Sequence, residues 1–505
     1  MLAKSRVLIL FGLAALCGCT VGPDYEGSPV AVPVSFGAAS KRADARAPDT
    51  PDMIRWWRTL HDPELDRLIE RAVDANPDIE IALTRVQQLR TQQTVTLGYA
   101  LPAIGASGAY GLGTGSDLTK GLAAQSIRAG DNTTGLQSID RLGGFDAQWQ
   151  LDLFGKYRRL LEAVRDDAEA MLAFRNGVTI AVISDVARSY IGVRALQLRL
   201  EIAHRAVESA KKNVDLTQSR FERGLTNELD ATLAKRELNS LQASLPPLRA
   251  AISSEVTRLS LLLGAYSSEI IRELGDKGAL PNVPSRLRTG TPADLLRRRP
   301  DIREAERRLA SATAQIGAAT ADLFPNVIFA SGLGAQEGPS NGKATAIGNI
   351  WSAGVGGYWP LLDFGRLDAQ IDIQELAAHE QLVNYKKTIL SAVEEVNDAI
   401  RQYRAQQQRL RNLTMALEQS KRAVGLATER YDRGLTDFLN VLDAERQEFA
   451  IEDQQAVARE AVTLQYILLY KALGGGWELY DTLPPVKEAQ PALAAAVRRL
   501  TNGQR

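Results

Sequence analysis

Three histidines and two cysteines in 505 residues leave this chain nearly without the side chains that most metal centres and nucleophilic sites require. His61, His204 and His379 have neither ligand nor triad spacing. The run Gly111-Leu112-Gly113-Thr114-Gly115 is followed by no Lys-Ser/Thr pair and opens no helix, so it does not read as a phosphate loop. Asp166-Asp167 falls in a long helical pattern and reads as solvated surface. Charge of one sign is also lacking: Lys+Arg and Asp+Glu are 60 each, which gives no reason to expect nucleic acid as a partner. Beyond the N-terminus no stretch holds about 18 uninterrupted apolar residues, so no transmembrane helix is expected. Catalytic residues, metal ligands and cofactors are all expected to be absent, and the chain does not read as an enzyme.

What is present begins with an export signal. Lys4 and Arg6 precede a short apolar run, Val7 to Leu16, that ends in Leu16-Cys17-Gly18-Cys19. Small residues before a cysteine form the cleavage box of bacterial lipoproteins; an ordinary secretory signal is the plainer alternative. On the lipoprotein reading residues 1–18 leave, Cys19 carries the lipid, and 19–63 is an extended segment anchored by it. The mature chain then has no free thiol and no disulfide. Thr20, rather than Asp, follows the cysteine, which by resemblance to known lipoproteins favours the outer membrane.

The remainder is a duplication. Ser219-Arg220-Phe221-Glu222-Arg223-Gly224-Leu225-Thr226 matches Glu429-Arg430-Tyr431-Asp432-Arg433-Gly434-Leu435-Thr436 at an offset of 210, 429 against 219. The same offset aligns Trp149 with Trp359, Phe154-Gly155 with Phe364-Gly365, and Leu263-Gly264 with Leu473-Gly474. Upstream, Asn76-Pro77-Asp78-Ile79 pairs with Arg299-Pro300-Asp301-Ile302, and Pro102 with Pro325, at 223. The extra residues lie between Pro102 and Trp149. Each copy reads helix, strand, strand, long helix, turn, helix, over 64–264 and 291–474. A connector fills 265–290, and a low-complexity tail, 475–505, is expected to be partly disordered.

Lys156 to Glu222 contains no proline, and Gly365 to Asp432 is similar; at about 1.5 Å per residue each makes a rod of roughly 100 Å. Leu382, Ile389, Val396, Tyr403, Leu410, Leu417, Val424 and Tyr431 recur every seven residues. Their counterparts are Leu172, Thr179, Val186, Val193, Leu200, Val207, Val214 and Phe221. This period favours left-handed coiled-coil packing. Each rod ends at Arg-Gly-Leu-Thr, where Gly224 and Gly434 suit a left-handed helix terminator. Return helices follow over 228–264 and 437–473, and Pro246-Pro247 is expected to kink or interrupt the first.

Helical signal vanishes where glycine and aromatics collect. Phe145, Ala147, Trp149, Leu151 and Leu153 alternate with Gly144, Asp146, Gln148, Gln150 and Asp152. Trp351, Ala353, Val355, Gly357, Trp359 and Leu361 form the second such set. Strands are expected at about 102–113, 144–154, 325–334 and 351–362, with Trp149, Trp351 and Trp359 in interfacial girdles and polar loops at Thr114–Gly143 and Ala335–Ile350. Four strands leave two open edges, which lipid does not tolerate. Closure needs further copies, and three supply twelve strands. Water-soluble hairpins in a mixed domain are the plain alternative.

Together these features resemble the outer-membrane efflux factor family, the TolC-like ducts, and within it the NodT-type lipoprotein branch. The motifs that carry the resemblance are Val21-Gly22-Pro23-Asp24-Tyr25, Trp56-Trp57, Arg299-Pro300-Asp301, Asp363-Phe364-Gly365, Leu442-Asp443-Ala444-Glu445-Arg446, and Tyr470-Lys471-Ala472-Leu473-Gly474-Gly475-Gly476-Trp477. The resemblance implies a mainly α fold with a β-barrel part: a homotrimer with a twelve-stranded outer-membrane barrel and a periplasmic α-barrel that tapers shut. It implies the exit duct of a tripartite efflux pump of RND type, working with a periplasmic adaptor and an inner-membrane pump. Family members close the tip with the second hairpin, at positions matching Arg430, Tyr431, Leu439, Asp443 and Arg446. The adaptor-docking tips match Gly224, Leu225, Thr226, Gly434, Leu435 and Thr436. From the residues alone, Asp443 paired locally with Arg446 is the plainer alternative. A duct for protein secretion and a coiled-coil envelope strut remain open.

Overall fold

The structure, a computed structural model, describes residues 20–27, 30–37, 53–114, 137–275, 278–284, 290–340 and 343–480. The expected signal sequence 1–18, Cys19 and the expected tail beyond Tyr480 lie outside the described residues. Two compact units emerge, each assembled from three stretches of chain: 1–28, 87–169 and 306–383 form the first, and 29–86, 170–305 and 384–505 the second.

The first repeat comprises α1 (Pro63–Ala75), α2 (Pro77–Ala100), β1 (Ala103–Thr114), β2 (Gln137–Leu151), α3 (Lys156–Glu222) and α4 (Glu228–Leu262). A short helix, α5 (Ser267–Leu274), occupies the expected connector. The second repeat comprises α6 (Pro292–Arg298), α7 (Pro300–Ala321), β3 (Asn326–Ser340), β4 (Lys343–Tyr358), α8 (Arg366–Asp432) and α9 (Phe438–Ala472). Pro77 and Pro300 mark the breaks before α2 and α7, since the residue preceding a proline is driven out of helical conformation. Asn76 and Arg299 sit at those breaks with ψ of 125° and 119°.

The duplication survives in tertiary detail at both offsets. Asn76 Nδ2 donates to Leu262 O at 2.8 Å, and Arg299 Nη1 donates to Ala472 O at 2.9 Å. Each repeat thus ties the start of its second helix to the end of its return helix. Likewise Trp149 Nε1 donates to Ala100 O and Trp359 Nε1 to Leu323 O, at 2.9 and 3.0 Å.

Within the first unit the strands form one antiparallel sheet in the order β1-β2-β3-β4. Register places Ala106, Phe145, Leu333 and Trp351 in one transverse row, and Trp149, Phe329 and Val355 in another. All lie on the apolar face, where Phe145, Leu333, Trp351 and Val355 are exposed. The opposite face carries Asp146, Gln148, Gln150, Ser352 and several glycines. β1 and β4 each have one partner strand, so two edges stand open among the described residues.

The strands reach further than expected. β2 begins at Gln137, and β3 and β4 continue through the expected loop at 335–350 until Ser340 pairs with Lys343. The reason is that backbone ladders need no apolar side chains, so polar, glycine-rich sequence can extend a strand past its buried stretch. Asn341-Gly342, the dipeptide between those ends, is itself a two-residue hairpin signal.

Among the described heptad positions all but Phe221 are buried or half-buried. Thr179, the polar exception, is fully buried, and its hydroxyl donates to Arg175 O at 3.1 Å, the usual outlet for a helical threonine. α3 also contains an 18-residue window of mean hydropathy 1.3, long and apolar enough to span a membrane by composition; 61% of that window is buried inside the protein, so packing accounts for it. α4 is not interrupted: it runs through Pro246 and Pro247. The carbonyls that lose their partners belong to Gln242 and Ala243, which are exposed and open to water.

Candidate functional site at the hairpin tips

Both tips, in the second unit, close with the same backbone device. Gly224 and Gly434 share a φ of 70°. Leu225 N donates to Arg220 O and Leu435 N to Arg430 O, each at 2.9 Å, while the glycine amides reach Phe221 O and Tyr431 O. This six-to-one bond with a left-handed residue is the Schellman ending. Leu225 and Leu435 are exposed at 70% and 62%, a matched apolar pair that no described residue covers.

The side chains around the two turns differ. Asn227 Oδ1 caps α4 by accepting from Leu229 and Asp230 amides at 3.0 and 3.3 Å. Its counterpart Asp437 makes no side-chain cap bond on α9. Thr226 pairs with Asp230, whereas Thr436 Oγ1 accepts from Asn440 Nδ2 at 2.7 Å.

The expected gate residues separate into two groups. Arg430, Leu439 and Asp443 are exposed. Asp443 makes no hydrogen bond or ion pair among the described residues. Leu439 is exposed at 54%, and its counterpart Leu229 at 59%, so exposure alone does not single it out.

Tyr431 is buried in the protomer, and Arg446, half-exposed, turns toward the other hairpin. Tyr431 is buried against Phe438, ring centroids 5.7 Å apart, in a cluster with Ala234, Val441 and Leu442. Arg220 lies over its ring at 4.4 Å, and the Tyr431 hydroxyl has no hydrogen-bond partner among the described residues. The guanidinium of Arg446 bonds Glu237 on α4, with Nε at 2.6 Å. The plainer alternative of a local Asp443–Arg446 pair is therefore not what forms.

Sequence reasoning missed the groups that hold the second hairpin to the first. Glu445 accepts from Ser209 Oγ at 3.1 Å and Asn213 Nδ2 at 2.5 Å, both on α3. Further along, Arg205 meets Glu452 at 2.9 Å and Arg199 meets Asp453 at 2.7 Å. Burial pushes the Glu445 carboxyl above the usual carboxylate range, against the two hydrogen bonds that lower it; Glu448 and Glu237 add to the rise. One signal was available: at the 210 offset Glu445 stands against Lys235, a reversal of charge between the repeats.

Three of the motifs quoted for the resemblance, Trp56-Trp57, Arg299-Pro300-Asp301 and Tyr470 to Trp477, converge elsewhere in the second unit. Trp56 stacks on Tyr470 at 5.7 Å, Gly476 approaches Trp57, and Trp477 Nε1 donates to Arg298 O at 3.1 Å. They form a core rather than a site. Among the described residues no group of three or more His, Cys, Asp or Glu could hold a metal ion.

Paired hairpins, a duplicated repeat and an open four-stranded sheet define one architecture, that of TolC-like outer-membrane channels. Residues 68–265 and 291–475 match the family described as outer membrane efflux protein, and the chain belongs to it. It is 29% identical over 468 residues to nodulation protein T of Rhizobium leguminosarum bv. trifolii, covering 92% of this chain and 95% of that one. It is 30% identical over 482 residues to the probable outer membrane lipoprotein SilC of Salmonella typhimurium, covering 94% and 99%. Among solved structures, the outer-membrane channel OprN superposes with a TM-score of 0.80 at 34% identity, covering 91% of this chain and all of that one.

Proposed function

We propose that this chain is one protomer of a trimeric, lipid-anchored outer-membrane duct through which a tripartite pump expels small molecules. The observation that carries the reading is the sheet. Its two edges are open, and one face exposes Ile104, Phe145, Leu333, Trp351 and Val355 to surroundings that must be apolar. Closing both edges with copies of the same sheet satisfies the backbone and turns the apolar face to lipid. The face bearing Asp146, Gln148 and Gln150 then lines a wet lumen. Acylation at Cys19 anchors each protomer in the outer membrane.

Transport on this reading is passive, with no catalytic step. Three exposed Asp443 carboxylates gather near the threefold axis, with Leu439 and Arg430, and close the periplasmic end. Carboxylates brought together repel, bind cations or take up protons, which makes the constriction responsive. The exposed Leu225 and Leu435 turns, with Gly224, Thr226, Gly434 and Thr436, dock a periplasmic adaptor. The polar ties from α3 to α9 hold the second hairpins in place until docking.

Planar-bilayer recording tests the gate. The purified protein should form small, mostly closed channels, and Asp443→Ala should raise their conductance several-fold. An unchanged conductance removes Asp443 from the gate. Crosslinking from Thr226→Cys and Thr436→Cys to a co-expressed adaptor checks the docking tips.

A further inference from the structure

The segment Val21-Gly22-Pro23-Asp24, the first described stretch after Cys19, lies in a seat built for it in the first unit. Val21 N donates to Phe154 O at 3.2 Å, just beyond the end of β2. Arg159, whose side chain is only 4% exposed at the start of α3, spends its donors on this stretch. Its Nε donates to Val21 O at 3.2 Å, and its Nη2 donates to Gly22 O at 3.3 Å and Asp24 Oδ1 at 2.7 Å. Nη1 is held by Glu162 Oε2 at 2.9 Å.

Three glycines permit the approach. A Cβ on Gly22, at a φ of 85°, would stand 2.3 Å from the Cα of Gly317. A Cβ on Gly155 would stand 2.7 Å from Thr20, and one on Gly317 would stand 2.8 Å from Arg159 Nε and 2.9 Å from Val21 O. Gly317 lies inside α7, where glycine costs about 1 kcal/mol against alanine, so the helix gives up stability where the segment crosses it. A segment that merely tethered a lipid would need none of these features.

We infer that residues 20–24 are a docked strap, seated by Arg159, Gly155 and Gly317, that brings Thr20 to the β2–α3 junction and so sets where a lipid carried on the preceding residue meets the protein. Arg159 is a positioning residue: it pairs with Asp24 and donates to two strap carbonyls. Trp149, exposed on the apolar face of β2, lies six residues before Gly155 in sequence, and aromatics of this kind suit a membrane interface. The lipid part of this inference rests on acylation of Cys19; the seat itself does not.

Hydrogen exchange on the full-length protein in detergent tests the seat, with palmitate incorporation measured in parallel. The Val21 amide, which donates to Phe154 O, should exchange at least about tenfold more slowly than an unstructured amide. Gly317→Ala should abolish that protection while α7 stays as protected as before, because alanine is the better helix former. Arg159→Gln should lose it too, and Cys19→Ala should retain it, since protein groups alone build the seat. Protection that survives both Gly317→Ala and Arg159→Gln, or that vanishes in Cys19→Ala, overturns the strap. Absence of palmitate from the wild-type chain instead defeats the lipoprotein reading and leaves the seat to be judged by exchange.

Discussion

Asp443 and Arg446 lie about one helical turn apart on α9 and take different roles, because burial differs between them. Arg446 reaches Glu237, whose side chain is 13% exposed, while Asp443 stays in water. Arg446→Ala leaves that carboxylate unpaired and should destabilise the hairpin pair by about 1–3 kcal/mol, read from chemical denaturation. Tyr431→Phe removes a buried hydroxyl that has no partner among the described residues, so stability should hold or rise; a clear loss would mean the hydroxyl is bonded after all. Glu445 gives a pH signature. Its folded carboxyl holds a proton more tightly than the unfolded one, so the folded state binds more protons between the ordinary carboxylate range and the raised value. Across that window its contribution to stability falls as pH rises and then levels off. Glu445→Gln, which cannot titrate, should lack that slope, and its advantage over wild type should disappear in acid.

Among the elements, the long helices and their turns were legible before any coordinates. The heptads and the Arg-Gly-Leu-Thr repeats place helix bounds directly, since a sustained period and a left-handed glycine are both local signals. Three features were not local. The strand extensions beyond Gly334 and before Trp351 depend on pairing, which polar sequence does not advertise. The helix α5 depends on packing within the second unit, where Ile270 and Leu274 are buried. The continuity of α4 depends on solvent access to two carbonyls. At the candidate site the exposed residues were readable from the family motifs, but the turn of Tyr431 and Arg446 toward the other hairpin was not. It follows from partners on the other hairpin, Arg220 and Glu237, about 210 residues away in sequence. At the turns themselves strain is the only term: nothing lies within 4 Å of a Cβ built on Gly224 or Gly434. Alanine at either should therefore cost about 1–2 kcal/mol from the left-handed backbone alone, and equally at both tips. Unequal losses would point to a contact that the single chain does not make.

At the scale of the whole molecule, the sheet is the part that one chain cannot complete. Among the described residues its two edges are open, and the proposed closed barrel of several chains would pair those edges and turn the apolar face to lipid; everything proposed about lumen, gate and adaptor follows from that closure. The duplication supports the same conclusion, because each repeat supplies one hairpin to the sheet and one helical hairpin to the tips. The most direct measurement is the molar mass of the purified, lipidated protein in detergent, by light scattering with the detergent contribution subtracted. The account predicts three copies of the 55.0 kDa chain, less the signal peptide, in a particle that resists dissociation at moderate temperature. A folded monomer with its strand edges unpaired would contradict it.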